Sequence, residues 1–269
     1  MYLARKFQSM KIVKLLLPAV CLMLLAGCLD IQENIDVKSN GSGELSINTD
    51  MSQLLEIMQT YIGKDEMEKQ LPNKAMDSTL YMKSIVDTAK DISPEKKALI
   101  RDGRVHMQLN MDQKLFKADM HFPFTSLDNL QKLYASMNDG SLGTTDLFRG
   151  LASGRGTDSA GGGPNGAMPD MNQFNSIYDF QSKDGMMSRK LNADKWKKLQ
   201  QSSEFAQIKD ASNMGMEIPY TLTIHLPRPV KKIDNSLAVL SDDKKTVTLK
   251  YNLIDVFDHP EKFEYTVAY

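Results

Sequence analysis

The chain has 269 residues, with 33 lysines and arginines against 34 aspartates and glutamates, and only two cysteines. Near-balanced charge excludes a strongly basic nucleic-acid binder, and two cysteines exclude a disulfide-dense scaffold. The length is ample for a packed core.

The first 27 residues read as a secretory signal. Arg5, Lys6, Lys11 and Lys14 supply a cationic start, Leu15 to Leu25 an apolar run, and Ala26 and Gly27 small residues at a cut. The apolar run is 11 residues long, short of the roughly 20 that cross a bilayer as a helix. It ends in Leu25-Ala26-Gly27-Cys28, a lipobox, at which bacteria attach diacylglycerol to the cysteine and cleave between Gly27 and Cys28. An uncleaved anchor, or an ordinary signal with a chance cysteine, is the alternative. Translation begins at Met1 or at Met10, which opens the more typical Met-Lys-Ile-Val-Lys. The mature chain would keep 29 basic against 34 acidic side chains, because all four signal charges are basic. That argues against nucleic acid and against electrostatic docking on anionic lipid, and leaves acyl chains to hold the membrane. With Cys21 cut away and Cys28 acylated, no disulfide and no thiolate zinc site remain. Leu29 after the cysteine predicts the periplasmic face of the outer membrane if the host has two membranes.

Ile31, Ile35 and Val37 alternate with polar residues, then Asn40-Gly41-Ser42-Gly43 precedes Leu45 and Ile47. This predicts a hairpin. Asp50 with Gln53 marks a helix start, followed by Leu54, Leu55, Ile57, Met58, Tyr61 and Ile62 at helical spacing. Helical character resumes at Tyr81, Met82, Ile85, Val86 and Ala89. Ser93-Pro94-Glu95 starts another short helix that Asp102-Gly103 stops. A second hairpin joins Val105, Met107, Leu109 and Met111 to Phe116, Ala118, Met120 and Phe122. Ser126 then caps a helix with Leu127, Leu130, Leu133, Tyr134 and Met137. A third hairpin, Ile177 to Phe180 with Met186 to Leu191, turns at Asp184-Gly185 and leads into a helix capped by Asn192. The remainder is strand: Tyr220 to Leu226, Leu237 to Leu240, Val247 to Leu253 and Phe263 to Tyr269. The fold class is α+β, an antiparallel sheet built from hairpins with helices packed on one face.

Residues 140–175 interrupt this pattern. Gly150 to Gly166 holds seven glycines in 17 residues, too little apolar surface to offset the entropy of ordering. The domain therefore divides into 28–139 and a strand-rich 176–269, joined by a flexible insertion.

Chemistry-bearing motifs are few. No H-E-x-x-H, nucleophile elbow or phosphate loop is present, and no catalytic residue or cofactor is assigned. A two-residue turn at Gln113-Lys114 places His106 directly opposite His121. The pair would serve metal binding or pH sensing, or would be solvated on the polar face. Among 18 methionines, Met107 and Met120 join Leu109, Phe122, Leu130, Leu133 and Met137 on inferred inward faces. These side chains line an apolar ligand cavity in one reading and close on each other as ordinary core in the other.

Ile35-Asp-Val-Lys-Ser-Asn-Gly-Ser-Gly-Glu-Leu-Ser-Ile47, shortly after the lipobox cysteine, resembles the opening of LppM-type bacterial lipoprotein domains. Tyr220 to Leu226 with Pro227, then Asp242-Asp243-Lys244-Lys245 and Val247-Thr248-Leu249, resembles their end. The resemblance implies an antiparallel sheet over helices, a lipid or glycolipid ligand in the envelope, and no catalytic residue. Three readings follow: a non-enzymatic envelope lipoprotein binding a lipid or other amphipathic ligand, an assembly lipoprotein acting through protein contacts, and a hydrolase whose site no motif marks.

Overall fold

In the computed structural model, residues 29–65, 67, 75–87, 92–138, 175–202, 205, 209 and 217–269 are described. The predicted signal segment 1–27, Cys28 and nearly all of the predicted flexible insertion 140–175 lie outside them. The three predicted hairpins form: β1 (Asp30–Val37) with β2 (Gly43–Asp50), β4 (Arg104–Asn110) with β5 (Leu115–Phe124), and β6 (Tyr178–Lys183) with β7 (Met186–Leu191). Each leads into a helix: α1 (Ser52–Ile62), α4 (Leu127–Asn138) and α5 (Ala193–Gln200). The first turn needs Gly41, which stands at φ +79°, a region closed to most side chains.

The predicted caps are in place. Ser126 Oγ accepts from Asn129 N at 3.2 Å, and Asn192 Oδ1 from Asp194 N and Lys195 N, both at 3.1 Å. Ser93 Oγ accepts from Lys96 N at 3.3 Å, opening α3 (Pro94–Ile100). Each satisfies a backbone donor that a helix start leaves free. Asp50 sits one residue further out than a cap: its Oδ1 accepts from Ser52 N at 3.0 Å, and Met51 holds the cap position.

The stretch before Tyr81, for which the sequence predicts no element, is ordered, and the helix predicted from Tyr81 to Ala89 is shorter. Ala75–Tyr81 is a strand, β3, pairing with β4, and the helix beyond it, α2, is only Met82–Val86. β3 lies at a sheet edge with one half-covered side, so its apolar residues are too sparse for a clear period.

Two sheets result. The larger has eight strands in the order β10-β11-β8-β1-β2-β5-β4-β3, and the smaller has four, β6-β7-β12-β9. Here β8 is Pro219–His225, β9 Lys232–Ile233, β10 Val239–Leu240, β11 Thr246–Asn252 and β12 Tyr265–Ala268. Pairing is antiparallel except between β1 and β8, which run parallel with Ile31 beside Tyr220. Strands from both sides of 140–175 thus share one sheet. The core lies on one face of the large sheet, where Ile35, Leu45, Val105, Ala118, Phe122, Leu222, Ile224, Val247 and Leu249 are buried. Tyr134 of α4 stacks on Phe180 of β6 with ring centroids 4.1 Å apart, joining that helix to the small sheet.

Candidate functional site

The second hairpin closes differently from the two-residue turn predicted for it. Its turn has four residues, Met111 to Lys114, with Asn110 paired to Leu115. Met111 is buried beside Leu55, Leu109 and Met67, and that burial opens the turn. The register therefore shifts by two: His106 faces Asp119, and His121 faces Arg104. The expected His106–His121 pair does not form. Each imidazole instead meets a carboxylate on the polar outer face. His106 Nε2 lies 2.8 Å from Asp77 Oδ1, and His121 Nδ1 lies 2.8 Å from Glu44 Oε1. Hydrogen bonds from His106, then Gln108, hold the Asp77 carboxyl below its usual range. Among the described residues no group of three or more His, Cys, Asp or Glu side chains is arranged to hold a metal ion.

The apolar candidates are divided. Met120, Phe122, Leu130 and Leu133 are buried in the main core, with Met137 half-buried against it. Leu109 belongs to the smaller cluster with Leu55, Met67 and Met111. Met107 is buried between Ser78 and Ala118 in the strand register. Partly buried Phe116 touches both clusters.

A buried ionisable centre that the sequence reading passed over lies on the same face. Strand alternation points Ile31, Glu33, Ile35 and Val37 inward together, so Glu33 enters the core at 2% exposure. Tyr134 of α4 donates its hydroxyl to Glu33 Oε1, and Tyr220 of β8 donates to Oε2. From the small sheet comes Arg189 of β7, 5% exposed. Its guanidinium lies 4.7 Å from the centre of the Tyr178 ring and donates to Asn175 Oδ1. Tyr178 in turn donates to the Pro260 carbonyl at 2.8 Å. Tyr251, whose ring is 5.8 Å from that of Tyr220, has a buried hydroxyl without a hydrogen-bond partner among the described residues.

Burial pushes the Glu33 carboxyl up to about 7, and the positive charge of Arg189 opposes the rise. Burial also raises Tyr134, Tyr178, Tyr251 and Tyr265, so these remain neutral hydroxyls. Burial disfavours the Arg189 cation, but Glu33 and then the surrounding tyrosines return its pKa above the ordinary value. The centre can hold or release one proton near neutrality; hydrogen bonds tie β1 to β8 and α4, and the charge of Arg189 couples it to β7 of the other sheet. The signal for it was the carboxylate on the apolar phase of Ile31-x-Glu33-x-Ile35-x-Val37.

Cys28 and Gly27 lie outside the described residues, but Leu29, next in sequence, is buried at 7% exposure and β1 starts at Asp30. Among the described residues no helix is long and apolar enough to cross a membrane.

These features define an α+β protein with two sheets closing on a buried carboxylate. No family model matches the sequence, and no curated protein matches it. Among solved structures, the chain is similar to the NMR structure of the folded domain of Mycobacterium tuberculosis LppM, at 9% identity and a TM-score of 0.33 over 90% of this chain and 91% of that one. A likeness at this level carries no argument about function.

Proposed function

We propose that this chain is a bacterial cell-envelope lipoprotein, anchored through acylated Cys28, whose domain binds an apolar or amphipathic ligand without chemical turnover. The lipobox leading directly into a folded strand carries the anchor reading. The ligand reading rests on one row of the large sheet. Leu222, Glu33, Ile47, Met120 and Val105 are neighbours across β8, β1, β2, β5 and β4. A polar centre and the Met120 side of the apolar set thus share one inward face, two-ended in the way an amphipathic molecule is. Native mass spectrometry of the soluble domain lacking Cys28, purified without detergent, should retain bound lipid. A domain that carries none, and takes up none from envelope extract, contradicts the ligand reading.

Met120→Trp probes the same face. In a ligand space, the substitution leaves lipid-free stability nearly unchanged and abolishes lipid retention. In a filled core it costs roughly 1–3 kcal/mol by overpacking. Thermal unfolding with and without envelope lipid separates the two. A marked loss of stability, with no effect of lipid on either protein, contradicts the ligand reading.

A second reading, assembly through protein contacts, is favoured by the sheet edges. Tyr81 on edge strand β3 is 63% exposed and Val239 on edge strand β10 is 66% exposed. An open strand edge is a template for pairing with another chain.

A further inference from the structure

We infer that α1 is an interfacial helix, lying against the lipid surface to which Cys28 anchors the chain. The inference rests on the anchor reading. Its first support is the missing tether. Leu29 is already buried and Asp30 already paired, so no slack residue separates the acylated position from the fold. The sheet end at which β1 begins must therefore sit at the bilayer.

The second support is what occupies that end. Asp30, Asp50, Lys117, Gln108 and Asp77 form the row across β1, β2, β5, β4 and β3 at this end. Directly beyond Asp50 comes α1, and beyond Gln108 comes the Met111–Lys114 turn against which α1 packs. Gln59 Nε2 donates to the Met111 carbonyl at 2.8 Å, Glu56 pairs with Lys114, and Leu55 is buried beside Met111. Of the α1 side chains that are described, three are apolar, Leu54, Leu55 and Ile57. Leu55 is spent on the small core, whereas Leu54 is half-buried and Ile57 is exposed at 37%. Leu54 and Ile57 are three apart and so share one side of the helix. An apolar side on a helix beside an acyl anchor fits the boundary between headgroups and chains, where such helices bury their apolar face roughly 5–10 Å deep. Two nearby lysines are paired, Lys114 with Glu56 and Lys64 with Asp112, so the contact is apolar and needs no anionic lipid.

The test uses the full chain with its native acylation, reconstituted into phosphatidylcholine vesicles containing a nitroxide-labelled lipid. An environment-sensitive fluorophore is placed at Ile57→Cys or, at the opposite end of the sheet, at exposed Lys38→Cys. Intact mass measures acylation in the same samples. The Ile57 probe should lose fluorescence to the nitroxide and shift to the blue, equally with and without anionic lipid, while the Lys38 probe is unaffected. Acylated protein whose Ile57 probe is unquenched overturns the interfacial helix and leaves the anchor standing. An Ile57 probe shielded from solvent but not from added protein concentration, and unquenched by lipid, overturns it in favour of a protein partner. Protein without acyl chains overturns the anchor reading and this inference with it.

Discussion

Alanine in place of Glu33 should cost the protein about 2–6 kcal/mol, because two buried hydroxyls lose their acceptor at roughly 1–3 kcal/mol each. Tyr134 and Tyr220 would each keep a buried hydroxyl without its acceptor, and Arg189 would lose the carboxylate charge that favours its cation. Urea unfolding at neutral pH measures the loss. Glu33→Gln keeps the shape and one acceptor, so it costs less and serves a second purpose. The folded-state pKa of Glu33, about 7, stands above the ordinary 4.5. The folded state therefore binds the proton more tightly. The resulting stabilisation, on the order of 3 kcal/mol, is fully present below about pH 4.5 and is lost as pH rises through about 7. The stability difference between wild type and Glu33→Gln should trace that decline. Arg189→Leu should move its midpoint to higher pH, because the cation that holds the carboxyl down is gone. A difference curve flat between those pH values contradicts the buried-carboxylate account.

Gly43→Ala is the other substitution expected to act strongly. A Cβ there would stand 1.8 Å from the Asp36 carbonyl oxygen and 2.4 Å from Phe124 Cζ. A backbone oxygen in a paired strand cannot step aside. The change should open the closing pair Val37–Gly43 of the first hairpin, at about 3 kcal/mol, the top of the overpacking range. Gly41→Ala, two residues away, meets only Leu127 Cγ at 3.9 Å but stands at φ +79°; it should cost roughly 1–2 kcal/mol. Thermal unfolding of both variants gives the order. A Gly43→Ala protein as stable as wild type contradicts the described hairpin.

Local signals were legible in the sequence because local physics decides them. Asn40-Gly41 marked the first hairpin, Ser93, Ser126 and Asn192 marked helix starts, and strand alternation separated buried from polar faces. Non-local choices were not legible. The parallel pairing of Ile31 with Tyr220 joins strands far apart in the sequence, and no turn chemistry specifies it. The second hairpin slipped by two because burial of Met111 beside Leu55 outweighed the shorter turn. The ionisable centre draws on β1, α4, β6, β7, β8, β11 and β12, so only the misplaced polarity of Glu33 hinted at it. The apolar set was legible as inward-facing, but its division between two clusters depends on where α1 packs. The reading of Cys28 rests on its motif, and Cys28 lies outside the described residues.

The anchor is therefore the claim on which the functional account stands, and metabolic labelling of cells with a fatty-acid analogue tests it most directly. Wild-type protein should incorporate the label and migrate as the processed form. Cys28→Ser, which offers no thiol to diacylglycerol, should incorporate none and accumulate as unprocessed precursor. Label retained in Cys28→Ser, or absent from the wild type, would contradict the account.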